Sequence, residues 1–138
     1  METRITIEGN ADDPKGSPLA KIRKTGKQSW TPAVQRYARW KDFVLDEYHR
    51  QTRTREKWIY NKKKKLVREK PLVTSKESPG RMHVKIEWKN DVHADPEGVF
   101  GSIADALFSQ DKYLSGSFEA DPDPDPKGQG KVEIIIFI

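Results

Sequence analysis

Residues 132–138 read VEIIIFI. A near-continuous apolar run of this length marks a strand buried on both faces, and such a strand belongs in the middle of a sheet. The ten residues before Lys131, DPDPDPKGQG at 121–130, cannot hold regular structure and form an acidic loop. Two alternating segments supply sheet partners, RITIE at 4–8 and MHVKIEW at 82–88. Helices lie between them. Thr31-Pro32 is a helix start, with Thr as N-cap and Pro where its missing N–H costs nothing. Val34, Tyr37, Phe43, Val44 and Tyr48 then make one apolar face over about 32–50. Asp95-Pro96 repeats the start, followed by Val99, Phe100, Ile103, Leu107 and Phe108. Few strands and few helices in this order predict an α+β fold, a small mixed β-sheet packed by two main helices, as a single domain over 1–138.

The chain has 138 residues, of which 34% are hydrophobic and 34% charged, so its core is small. The absence of cysteine excludes disulfides, a thiol nucleophile and every Cys-based zinc or iron–sulfur site. His49, His83 and His93 are too scattered for a histidine-rich metal cage. The longest apolar run, at 134–138, falls far short of the roughly 20 residues of a spanning helix. METRITIEGN at the start has no apolar core of signal-peptide type. The expectation is a soluble, cytoplasmic protein with no membrane partner and no small-molecule substrate.

Charge is unevenly spread. Residues 1–90 carry 23 basic and 11 acidic side chains, whereas 91–138 carry 3 and 10. The basic segment at 50–70 holds ten Lys or Arg against Glu56 and Glu69, with Trp58, Tyr60 and Leu66 interleaved. Such a segment, read as an arm or an extension of the first helix, suits a polyanion partner, with aromatics for base stacking or for anchoring. A solvated charged face is the alternative. The expected phosphate contacts are Lys15, Lys21, Arg23, Lys24, Arg53, Arg55, Lys62, Lys63, Lys64 and Lys65.

The acidic part needs its own account. Asp95 and Glu97 flank Pro96 at the start of the second helix, and Asp111 follows that helix. If the three face a common point, they suit a hard cation with oxygen ligands, Mg²⁺ or Mn²⁺. Capping by Asp95 and macrodipole compensation by Glu97 account for the same residues without a metal. The DPDPDP stretch lacks the spacing and closing Glu of a calcium loop. Glu87-Trp88-Lys89 ends a strand as in restriction-type nucleases, but 62–81 offers no Asp to complete that pattern.

The stretch 95–118, DPEGVFGSIADALFSQDKYLSGSF, resembles the signature of RusA-like Holliday junction resolvases. Asp95 and Glu97 take the first two acid positions, Asp105-Ala106-Leu107 matches an Asp-Ala-Leu, and Asp111 takes the final acid position. Gly9, Pro14-Lys15-Gly16, Pro18 and Trp30-Thr31-Pro32 resemble the family's lead-in to its first helix. The resemblance implies that Asp95, Glu97 and Asp111 are catalytic and bind Mg²⁺ (or Mn²⁺). It also implies a homodimer that cleaves branched DNA in recombination and repair. The sequence departs from the pattern at Gly98, where the family has Asn, and at Gly101, where it has Lys. Lys112 or Lys15 would have to replace that lysine. The expected function is therefore a metal-dependent, structure-selective endonuclease. The alternatives are a catalytically inactive DNA-binding protein on the same fold and, from basic composition alone, an RNA-binding protein.

Overall fold

Eight elements follow one another among the described residues, 1–22, 31–91 and 93–138 of a computed structural model. They are β1 (Glu2–Glu8), α1 (Pro32–Thr52), β2 (Trp58–Tyr60), β3 (Leu66–Arg68), β4 (Gly80–Glu87), α2 (Pro96–Leu107), β5 (Leu114–Ala120) and β6 (Lys131–Phe137). A four-stranded sheet has the order β1-β6-β4-β5, and β2 with β3 forms a separate two-stranded hairpin. The fold is α+β.

The apolar run at 132–138 lies inside the sheet as expected, with β6 antiparallel to both β1 and β4. Its burial is one-sided, however. Val132, Ile134 and Ile136 are buried, while Glu133, Ile135 and Phe137 are half-buried. The reason is that both helices cover the same face of the sheet. Ile5 and Ile7 of β1, Met82, Val84 and Ile86 of β4, and the buried residues of β6 share one core with Tyr37, Trp40, Val44, Val99, Ile103 and Leu107. The other face alternates out of that core, with Thr6, Glu133 and Lys85 in one row and Arg4, Ile135 and His83 in the next.

Helix α1 begins as its sequence predicts. The Thr31 hydroxyl accepts from the Val34 N–H, and Pro32 stands at the first position. The helix ends at Thr52, because Arg53 adopts a left-handed conformation (φ 56°) and returns its N–H to His49 O. The two helices meet through a polar contact inside the core. The Trp40 indole N–H donates to Ser102 Oγ at 2.9 Å, and that hydroxyl reaches Val99 O at 2.7 Å and Leu19 O at 2.8 Å. One serine thus ties α1, α2 and the segment after β1 together.

Three strands depart from expectation. The basic segment is a short β-hairpin, not a continuation of α1. Strand β5 (LSGSFEA) has no apolar alternation, yet it pairs in parallel with β4 from Gly80↔Leu114 to Ile86↔Ala120. The unit β4–α2–β5 is therefore a parallel crossover. The segment 121–130 has no helix or strand, as expected. No helix among the described residues is long and apolar enough to cross a membrane.

Candidate nucleic-acid interface

The first turn of α2 carries two of the three expected acids. Asp95 is the N-cap residue, but its carboxylate makes no capping hydrogen bond, so capping does not account for that side chain. Glu97 lies in the first turn, near the positive end of the helix dipole. Both are exposed, and neither pairs with a cation among the described residues. A cleft of about 440 Å³ opens beside this end of the helix, lined among others by Asp12, Asp13, Arg36, Lys89 and His93. Its acids are already engaged: Asp12 with Arg39 at 2.9 Å, and Asp13 with Lys89 at 3.2 Å.

Asp111 stands elsewhere. In the parallel crossover, α2 starts beyond the C-terminal end of β4. Asp111 precedes β5, whose first residue, Leu114, pairs with Gly80 at the start of β4. The helix between them is 12 residues long, about 18 Å. The expected triad is thus split, with Asp95 and Glu97 at one end of the crossover and Asp111 at the other. Among the described residues no group of three or more His, Asp or Glu side chains is arranged to hold a metal ion. Lys112 shares the position of Asp111, its ammonium 5.4 Å from the Tyr113 ring, so it does not stand beside the first turn of α2. Lys15 sits in the loop after β1, its N–H donating to Asp13 Oδ1 and its carbonyl accepting from Gly130.

Of the glycines at 98 and 101, packing demands only the first. The segment 19–21 crosses the first turn of α2, with the Lys21 N–H donating to Gly98 O at 2.8 Å. A Cβ on Gly98 would lie 2.7 Å from Ala20 Cβ, which leaves no room for a side chain. At Gly101 a Cβ would meet Lys21 Cδ and Cβ at 3.6 and 3.7 Å. These are ordinary contact distances, so a side chain could start at 101 with the Lys21 stem beside it. Asp105, the Asp of the Asp-Ala-Leu, has a different task. It accepts from the Tyr37 hydroxyl at 2.9 Å and pairs with Lys41 at 3.2 Å and Lys70 at 3.5 Å. Burial pushes its carboxyl up, but the Tyr37 hydrogen bond and the two ammonium groups outweigh this and hold it below the usual range.

The concentrated positive charge is on the hairpin. Asn61 organises its turn: Asn61 Oδ1 accepts from the N–H groups of Lys63 and Lys65, and the Asn61 N–H donates to Lys65 O. Lys62, Lys63, Lys64 and Lys65 are all exposed and form no ion pair among the described residues. Arg68 roots the hairpin on α1, its guanidinium 2.7 Å from Asp46 and 2.9 Å from Glu56. A cavity of about 470 Å³ at the foot of the hairpin is lined by Arg55, Lys57 and Lys70 together with Tyr48 and His49. Arg53 is exposed at the end of α1. Arg23 and Lys24 lie outside the described residues.

Of the residues expected to meet phosphates, the structure thus gathers Lys62, Lys63, Lys64 and Lys65 on one turn, and leaves Lys21 against α2 and Lys15 in the loop after β1. Sequence reasoning missed Asn61 and Arg68, although Asn before a lysine run and an Arg two residues after Leu66 are both visible turn and strand-partner signals. Set against models of known protein families and against curated proteins, the sequence matches none of them.

Proposed function

We propose that this chain binds DNA through the hairpin β2–β3, with branched DNA as the substrate class that its sequence resemblance implies. The observation that carries the reading is the Asn61-locked turn with four exposed lysines that have no carboxylate partner among the described residues. Elsewhere many cations are neutralised internally, as Arg39 is by Asp12 and Lys89 by Asp13. Phosphates would displace counterions from the hairpin, so affinity falls steeply with salt. The test is a salt titration of binding to a four-way junction and a matched duplex. Replacing the four lysines by Gln lowers both affinities and flattens the salt slope; an unchanged slope refutes the reading.

A second reading, cleavage of the bound strand, is favoured by the uncapped carboxylate of Asp95 beside Glu97. Mg²⁺ is commonly held by one or two carboxylates plus substrate phosphate oxygens, and these two side chains fit that mode. Asp111 does not join them. Mg²⁺ bound there would supply Lewis-acid stabilisation of charge on the phosphodiester. The chain's own part is to present Asp95 and Glu97 on the first turn of α2, with the Lys21 stem passing beside Gly101. Symmetric nicks in the junction, dependent on Mg²⁺ or Mn²⁺ and lost in Asp95→Asn, support this reading. Binding without nicks under either metal leaves the chain a non-catalytic DNA-binding protein.

A further inference from the structure

Among the described residues, four of the eight large apolar side chains left exposed lie on the hairpin that carries the lysine turn. Trp58 is 52% exposed, Ile59 44%, Tyr60 73% and Leu66 54%, and all four belong to the hairpin. A two-stranded hairpin of three-residue strands has little stability of its own in water, and these side chains bury little within it. Its fixed points are Arg68 at the root and Asn61 at the turn. The register Trp58↔Arg68 and Tyr60↔Leu66 puts both aromatic residues on one face, with Ile59↔Val67 on the other. The Trp58 indole N–H is taken up by Glu56 at 3.2 Å, so what the ring offers a partner is its π-face.

We propose that Trp58 and Tyr60 stack on unpaired bases of the bound nucleic acid while the four lysines at 62–65 hold the adjacent phosphates. This rests on the reading that the partner is a nucleic acid, and it adds which nucleotides the hairpin takes. Charge complementarity selects the occupant: a second copy of this chain would bring its own basic turn against the first, whereas a polyanion is drawn to both. Ring stacking narrows the choice further. In a continuous duplex each base face is covered by its neighbours. Free faces exist in single strands, at ends and at branch points, and an aromatic platform beside cations is the sequence-tolerant way to hold them.

The test compares three labelled DNAs, a single-stranded oligo-dT, a relaxed closed-circular duplex without ends and a four-way junction, with the full chain and with Trp58→Val/Tyr60→Val. Valine keeps the β propensity of the hairpin and removes the rings. The expected result is a loss of about tenfold or more in affinity for the single strand and the junction, with the duplex changed by less than about twofold. Trp58→Phe/Tyr60→Phe, which restores aromatic faces, is expected to recover most of that loss. Equal weakening on all three DNAs, no weakening on any, or failure of the Phe pair to recover overturns the stacking proposal alone. If the unaltered chain binds none of the three, the nucleic-acid reading itself falls, and stacking falls with it.

Discussion

The Arg68 guanidinium on β3 lies 2.7 Å from the Asp46 carboxylate on α1, and the same group is 3.6 Å from Asp42. Arg68 is 14% exposed while both carboxylates remain largely in solvent. The basic hairpin is thus moored to the domain by a cation that is itself withdrawn from the surface. Isolated exposed pairs contribute little, but one shielded guanidinium shared by three carboxylates fixes a geometry.

Replacing that mooring should loosen the hairpin without opening the core. For Arg68→Gln, amide hydrogen exchange is expected to accelerate across 58–68 while protection in α1 and β6 stays as it was. Faster exchange throughout the sheet would show that Arg68 supports the whole fold.

Gly98 and Gly101 should respond in opposite directions. Gly98→Ala forces the segment 19–21 away from α2, since its Cβ would lie 2.7 Å from Ala20 Cβ; a loss of about 1–3 kcal/mol is expected. Gly101→Ala meets Lys21 at ordinary contact distance and gains helix propensity, up to about 1 kcal/mol. Urea denaturation of both variants checks the pair, and equal effects would refute the packing argument.

Ser102→Ala leaves the buried Trp40 indole N–H without its acceptor. The expected cost is about 1–3 kcal/mol, read as a lower denaturation midpoint at unchanged slope.

Asp105 gives the fold an acid limit. Its folded-state carboxyl titrates below the ordinary value of 3.8, so the folded state releases this proton more readily than the unfolded chain. The stability that it contributes is fully present above that value and is lost as pH falls through the folded one. Asp105→Asn should therefore lower stability at neutral pH and flatten the decline of stability below about pH 4. A decline as steep as in the parent chain would mean that other carboxylates set the acid limit.

The parts of the fold with strong local signals were readable. Thr31-Pro32 announces α1, Asp95-Pro96 announces α2, and 132–138 announces an inner strand. Strand β5 was not readable, because Ser115, Gly116 and Ser117 lack both β propensity and apolar alternation; its place is set by pairing with β4 and by the Phe100 ring against Gly116. That one omission bears on the site. Each acid was visible in sequence, and so was the helix that runs Asp111 away from Asp95; what the sequence lacked was β5, whose pairing makes that separation a parallel crossover. The hairpin was legible as a basic arm through its lysines, while its strands, three residues each, are too short for periodicity to register.

The same weak strand has a consequence for how the protein behaves when concentrated. β5 is an edge of the sheet, and its residues 115–119 are exposed. A free edge offers unpaired backbone groups to any extended chain that drifts alongside, the usual first step towards cross-chain β-assembly. Here that edge reads Ser-Gly-Ser-Phe-Glu, with few side chains that favour a further strand and one that carries charge. A strand held in place by its neighbour on one side, and composed to attract none on the other, makes that edge of the sheet a poor template.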